Sequence, residues 1–346
     1  KRQLQYTKID HRSFVFTILF FNLSIHVKIF HREYKKGMYE MLWLWIGCGI
    51  MMILLVAAYC LGRYFFQRAF DAKSDKSDII QNASHRKKKP EDLWFEQEVS
   101  HIDVQIKSHD DLTLQGTIIR NHKTKWVVLV HGYMGCKKDL IPAAKRFYGM
   151  GCSVLLIDLR GHGKSEGTVI GFGALDHLDI HAWCKYLTQQ YHATDIALYG
   201  VSMGAASVMM CADETNGCVK VIIEDCGFTS LREQLTHQLR KMLPHVPPCI
   251  PLFCLSLCLR AKAGYTLKQA CPMDHVAQAK VPMLFLHGER DNFIPITMME
   301  QLAKSCPTLH HVVRLPKGRH ANSSLLEPHL YWEEVVSFLN KIQFLP

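Results

Sequence analysis

The sequence predicts an α/β protein, a mostly parallel central sheet with helices on both faces, preceded by an apolar segment long enough to span a membrane. Three observations predict it. Short, continuous apolar runs alternate with helix-like stretches from residue 126 to the C-terminus. Such runs are strands buried on both faces, as in a parallel sheet covered by helices. Charge is unevenly placed: residues 1–90 hold 16 Lys+Arg against 6 Asp+Glu, and residues 91–346 hold 25 of each. Leu42 to Leu61 is 20 residues without a charge.

Residues 1–41 are expected to be an N-terminal extension. Phe14 to Phe30 is apolar, but Asn22, His26 and Lys28 make it a poor spanning segment. Met38 and Met41 stand before a better one, so translation of the natural protein is expected to start there. Residues 42–61 match the hydrocarbon thickness, with Trp43 and Trp45 at one end and Tyr59 at the other, and read as a retained transmembrane anchor. A core helix would show a polar face, and a cleaved signal peptide would be shorter and end in a small-x-small site. In Ala58-Tyr59-Cys60, Tyr59 occupies the place where a lipoprotein box needs a small residue. Arg63, Arg68, Lys73 and Lys76 follow the run and put the body in the cytoplasm; Arg32, Lys35 and Lys36 oppose this if the extension is retained. Residues 62–93 read as a basic linker, with Arg86-Lys87-Lys88-Lys89 either a solvated tether or a patch for anionic lipid.

The body is expected over residues 94–346. Ile102, Val104 and Ile106 alternate, as do Leu112 and Leu114, with His109-Asp110-Asp111 between: an antiparallel hairpin. Buried strands follow at Trp126 to Val130, Val154 to Ile157, Ile196 to Tyr199, Val219 to Ile223, Met283 to Leu286 and Val312 to Leu315. Helices are expected at Leu140 to Tyr148, Ala174 to Leu187, Ala205 to Cys211, Thr297 to Ala303 and Leu330 to Phe338. The alternation breaks over about residues 228–276, where Pro244, Pro247, Pro248 and Pro251 precede the apolar Leu252 to Leu259. So apolar a run must cover something, and this insertion is expected to be a lid over the carboxyl ends of the strands.

Composition excludes some functions. The body is electrically neutral, which gives no reason to expect a nucleic-acid partner. The 13 Cys are scattered without a CxxC pair, as free thiols in a reducing compartment would be. Cys254 and Cys258, at helical spacing with Cys249 nearby, read as small core residues. His177 and His181 lack the Glu of a zinc-binding HExxH helix and read as a solvated helix face. Gly163-Lys164-Ser165 ends like a phosphate-binding loop, but Asp158 stands where its first Gly is required. No metal or cofactor is expected.

Gly200-Val201-Ser202-Met203-Gly204 lies between a predicted strand and a predicted helix. Two glycines flanking a serine at such a junction make a turn too tight for side chains and push the hydroxyl out, which marks Ser202 as a nucleophile. Serine needs a base, and the base a carboxylate to hold it. Asp291 lies in the loop after one late strand and His320 in the loop after the last. They are the expected acid and base. Asp225, at the end of the preceding strand, is the alternative acid, and Glu289 a weaker one. An oxyanion hole needs two backbone N–H groups. Met203 directly follows the serine, and Tyr133 follows Gly132 in the loop after Val130; these are the expected donors. Glu224-Asp225 reads as strand-end hydrogen bonding.

The set HGYMG, DLRGHGKSEG, GVSMG, IIEDCGFTS, LFLHGERDNFIP and GRHANS, in that order, resembles the α/β-hydrolase superfamily over about Trp94 to Leu345. More narrowly it resembles bacterial, often membrane-anchored serine hydrolases of the esterase and lysophospholipase-like kind, related to the serine aminopeptidase group. The resemblance implies the α/β-hydrolase fold, Ser202 as nucleophile, Asp291 as acid, His320 as base, Tyr133 and Met203 as oxyanion donors, and a structural role for Asp158 to Gly163. With the apolar lid and the anchor it implies a serine hydrolase cleaving carboxylic esters, acyl or lipid-like. Alternatives are a peptidase on the same triad, an acyltransferase that excludes water, or a non-catalytic binding protein, which would usually have lost a triad residue.

Overall fold

The computed structural model describes residues 11–74 and 90–346. The chain divides into two units, Lys1–Cys60 and Leu61–Pro346. Helix α1 runs His11–Ala69 and is long and apolar enough to cross a membrane. Between residues 42 and 61 its large apolar side chains, among them Trp43, Leu44, Ile53 and Leu54, are exposed. A helix apolar all round is matched to an apolar surrounding, not to water.

In the second unit, β1 (His101–Lys107), β2 (Thr113–Ile119), β3 (Lys125–Val130), β4 (Ser153–Ile157), β5 (Asp195–Val201), β6 (Val219–Asp225), β7 (Met283–Gly288) and β8 (His310–Leu315) form one sheet in the order β1-β2-β4-β3-β5-β6-β7-β8. β1, β2 and β4 pair antiparallel; every other neighbouring pair is parallel. The β1–β2 turn passes through Asp111 in a left-handed conformation, φ 66°. β2 reaches Ile119, well past the expected hairpin, because its far half also pairs with β4 (Gly116 opposite Ile157, Ile119 opposite Val154).

Helices cover both faces, as the unbroken apolar runs require. Side chains alternate across a strand. Trp126, Val128 and Val130 therefore pack with Trp183 and Leu187 of α3 (Asp176–Tyr191), Met203 and Val208 of α4 (Met203–Met209), and Met299 and Leu302 of α7 (Ile296–Ser305). Val127 and Leu129 enter the opposite cluster with Phe147 of α2 (Ile141–Gly149) and Tyr331, Trp332 and Phe338 of α8 (Pro328–Lys341). The insertion forms α5 (Leu231–Met242) and α6 (Cys249–Ala263), joined through the proline-rich stretch. Cys254 and Cys258 are buried core residues.

Two expectations change. The linker expected over residues 62–93 is helix up to Ala69, and Phe66 and Phe70 are buried. They join a third apolar cluster with Phe228, Leu239, Leu252 and Leu255, and Asp71 bridges to Val169. A segment with two phenylalanines in a core is not a tether. Arg86 to Lys89 lie outside the described residues, as do residues 1–10 of the expected extension. His177 and His181 are half-buried, not solvated. His177 Nδ1 lies 2.8 Å from Gly173 O, and its ring is tilted against His275 at 5.8 Å.

Phe70 is fully buried. Truncating a core phenylalanine costs about 3–5 kcal/mol, so Phe70→Ala in the full chain should lower the melting temperature by roughly 10 °C. An unchanged melting temperature, followed by near-ultraviolet circular dichroism in detergent, would show that residues 61–72 are not part of the core.

Candidate active site

Ser202 directly follows β5 and holds the N-cap position of α4 with φ 57° and ψ −115°, a conformation L side chains rarely adopt. Such strain is worth about 1–3 kcal/mol and persists only where the surroundings over-determine it. Here they do. A Cβ on Gly200 would lie 2.3 Å from Gly204 O, and one on Gly204 would lie 2.2 Å from Val130 O. The Ser202 N–H donates to Asp225 O at 2.8 Å, and Ser202 O accepts from Ala206 N at 3.0 Å.

Two other strand ends meet this serine. His320, past β8, has Nε2 at 2.8 Å from Ser202 Oγ and Nδ1 at 2.7 Å from Asp291 Oδ2. An ionised carboxylate only accepts, so Nδ1 carries the proton and Nε2 accepts from the serine hydroxyl. Asp291, in the loop after β7, is held in turn: its Oδ1 accepts from Phe293 N at 2.7 Å and Ile294 N at 2.9 Å. His287, on β7, lies 3.4 Å from Asp291 Oδ2 and 3.0 Å from Ile294 O. Burial pushes Asp291 toward its neutral form, but hydrogen bonding from His287 and His320 outweighs this and holds the carboxyl well below the usual range. Phe293 packs on the His320 ring, centroids 4.8 Å apart.

The structure thus brings Ser202, His320 and Asp291 into one hydrogen-bonded chain. It does not bring the alternatives there. Asp225 Oδ2 accepts from Tyr331 O–H at 2.9 Å, on the α8 side of the sheet, and Glu289 is exposed. Tyr133 and Met203 both adjoin the serine. Met203 is the first residue of α4, where a backbone N–H has no intrahelical acceptor. The loop carrying Tyr133 passes directly over Ser202: a Cβ on Gly132 would lie 3.4 Å from Ser202 Cβ. Buried His131 shapes this loop. Its Nε2 accepts from Leu159 N at 3.1 Å, which leaves the proton on Nδ1 for Gly132 O at 2.8 Å. Burial keeps it neutral by pushing its pKa down to about 4.

The DLRGHGKSEG segment is structural, as expected. Asp158 accepts from Lys137 N and Lys164 N at 2.7 and 3.1 Å. Arg160 is clamped between Asp179 and Asp110. That guanidinium is already the cation among His109, Asp110 and Asp179, whose ligand atoms lie within 4.8 Å of one another. Cys226, Asp291 and His320 are similarly close, but two of the three belong to the Ser202 chain.

A cavity of about 240 Å³ opens beside Ser202. Leu231, Leu239, Leu252 and Leu255 of the insertion line it, with Phe228 and Phe293. α5 is tied to the loop carrying Asp291, since Gln234 and Gln238 both donate to Phe293 O, at 3.0 and 2.7 Å. A wider groove of about 910 Å³ runs between α2 and α8 and contains no site residue. Sequence reasoning missed His287 and His131, although each stands next to a glycine in a quoted motif. It also missed Tyr64, Phe65, Arg68 and Ala69, which line the cavity from α1. The aromatic cluster Tyr64-Phe65-Phe66 with Phe70 was the available signal.

Fold and site define the class: the chain has the α/β-hydrolase fold. A family model described as serine aminopeptidase, S33, matches residues 121–256. The Bacillus subtilis protein YqkD is 27% identical over 242 residues, 66% of this chain and 76% of that one. A protein of Saccharomyces cerevisiae described as a membrane protein is 28% identical over 245 residues, 69% of this chain and 79% of that one. An esterase from Pyrococcus furiosus superposes with a TM-score of 0.59 at 21% identity, over 74% of this chain and 94% of that one.

Beneath the site, Glu224 is fully buried, with Oε1 unpartnered and Oε2 accepting from Gly227 N at 2.8 Å. Burial, partly offset by His287, pushes its pKa from 4.5 up to about 8. Below pH ~4 both folded and unfolded states are protonated there and the group costs nothing. Between about pH 4.5 and 8 the folded state keeps a proton that the unfolded state loses, so stability falls as pH rises, with the full cost above the folded pKa. Glu224→Gln should flatten the decline in melting temperature between pH 5 and pH 9. An identical slope in wild type and variant would contradict this.

Proposed function

We propose that the chain is a serine hydrolase that cleaves carboxylic esters with an acyl or lipid-like acid part, working from a membrane anchor formed by α1. The observation that carries this is the chain of hydrogen bonds from Asp291 through His320 to Ser202, beside an apolar cavity. Ser202 Oγ attacks the ester carbonyl carbon as its proton passes to His320 Nε2. The backbone N–H groups of Tyr133 and Met203 receive the developing oxyanion. His320 returns the proton to the departing alkoxide, leaving an acyl-enzyme. Water then attacks the acyl carbon, giving a proton to His320, and the acid leaves as Ser202 regains its hydrogen. Asp291 stays ionised throughout, holding Nδ1–H and stabilising the imidazolium.

A peptidase on the same triad is the second reading, favoured by the description of the matching family model. An aminopeptidase must receive a free α-ammonium group, for which a carboxylate in the substrate site is the natural partner. Among the described residues lining the cavity there is no Asp or Glu; Arg68 is the charged one. That composition supports esters over N-terminal peptides. Arg63, Arg68 and Lys73 after the apolar run, together with the scattered thiols, support a cytoplasmic body.

Wild type should be labelled at Ser202 by a fluorophosphonate and should turn over p-nitrophenyl acyl esters faster than aminoacyl p-nitroanilides. Ser202→Ala should lose both the label and about 10⁴- to 10⁶-fold in kcat. A wild type that is neither labelled nor active on either panel would falsify the proposal. Asp291→Asn should drop kcat by about 10⁴ with little change in KM, because the amide no longer holds the tautomer. If Asp225→Asn proves the more damaging, the acid has been misassigned.

A further inference from the structure

We propose that residues 64–69, the last turns of α1, form a wall of the substrate site and set the length of acyl chain accepted, so that the anchor helix is itself a specificity element. This rests on the ester reading above. Tyr64, Phe65 and Ala69 line the cavity together with Ser202, facing a rim that includes Leu252 and Leu255 of α6.

The segment is held firmly enough to act as a wall. Ala69 is the last residue of α1, so its carbonyl is among those a helix leaves unpaired. Tyr133 O–H donates to that carbonyl at 2.9 Å. The residue next to Gly132, itself against Ser202, therefore also holds the helix end. The Tyr133 ring stacks on Phe172 at 5.2 Å, and Phe172 tilts against Phe70 at 4.9 Å. Beyond the helix, Ile170 N donates to Phe70 O at 2.8 Å and Ala72 N to Thr168 O at 3.0 Å. Before it, Gly62 lies against α6 so closely that a Cβ would sit 2.3 Å from Cys254 O. The stretch is thus fixed at Gly62, at Ala69 and at Phe70 to Ala72, with Phe65 between these points.

Apart from Arg68 the wall is apolar, and a fixed apolar wall discriminates by length. Each methylene laid against it gains about fourfold in kcat/KM, from the free energy of burying one CH₂, until the chain meets a side chain that cannot yield. Of the two aromatic residues on the α1 side, Tyr64 is exposed and Phe65 is the half-buried one. Removing its ring opens space for longer chains, and enlarging it closes space.

The test uses the full chain in detergent micelles with p-nitrophenyl esters from acetyl to dodecanoyl. Phe65→Ala should move the optimum to longer chains by two or more carbons. Phe65→Trp should move it to shorter ones, with the dodecanoyl-to-acetyl ratio of kcat/KM differing at least tenfold between the two variants. A small fluorophosphonate label at Ser202 shows in each case that the site is assembled. Unshifted profiles in labelled variants overturn the proposal and leave the ester reading standing; absence of label in wild type overturns both. A second measurement needs no variant. An octyl fluorophosphonate with a terminal diazirine, attached to wild-type Ser202 and irradiated, should crosslink to the peptide containing residues 64–69. Crosslinks confined to α5 and α6 would also overturn the proposal.

Discussion

The backbone around Ser202 is crossed at two points where no side chain fits. Gly200 faces Gly204 O, and Gly204 faces Val130 O, each so closely that a single Cβ would collide with backbone. These contacts lock β3, β5 and α4 together. They force the residue between them into a left-handed conformation that raises its side chain out of the turn. The strain is small beside the packing that enforces it, since Val130, Met203 and Val208 around this junction are buried.

Asp291 and His320 reach that serine because parallel strands all end on one side. β5, β7 and β8 present their carboxyl-end loops at the same edge of the sheet, so Ser202, Asp291 and His320 converge from positions far apart in the chain. Asp291 is the most heavily held of the three. Two backbone N–H groups and two histidines converge on its carboxylate, which keeps it charged despite burial. Asp225 shows the contrast. The Tyr331 hydroxyl donates to it, but burial outweighs this and the nearby histidines and pushes its pKa up to about 6. Asp225 ends a buried strand and Asp291 lies just past one, but only Asp291 is ringed by backbone and imidazole donors and bonded to His320.

The insertion and the end of α1 meet in a third apolar cluster, separate from the two that flank the sheet. Phe66 and Phe70 from α1 pack there with Phe228, Leu239 and Leu252. The helix that carries the long apolar run therefore finishes as part of the domain's own core. This is why the cavity beside Ser202 has a wall from a segment far from the strand-end loops that carry Asp291 and His320.

The strands, their parallel order in the body and the Ser202 junction were determined by sequence alone, because each is written in a local pattern. Continuous apolar runs need cover on both faces, and a serine between two glycines after a strand needs a tight turn. His320 and Asp291 were legible as loops just past strands. What only the tertiary structure decided was partnership. Asp291 has local partners in His287, Phe293 and Ile294, but what sets it against His320 while Asp225 meets Tyr331 is which distant groups come to face each carboxyl. The same holds for residues 62–72. Their charges and their place after an apolar run read as a tether. Their aromatic side chains become core and cavity wall only because α6, Phe172 and Tyr133 arrive from elsewhere in the chain to cover them.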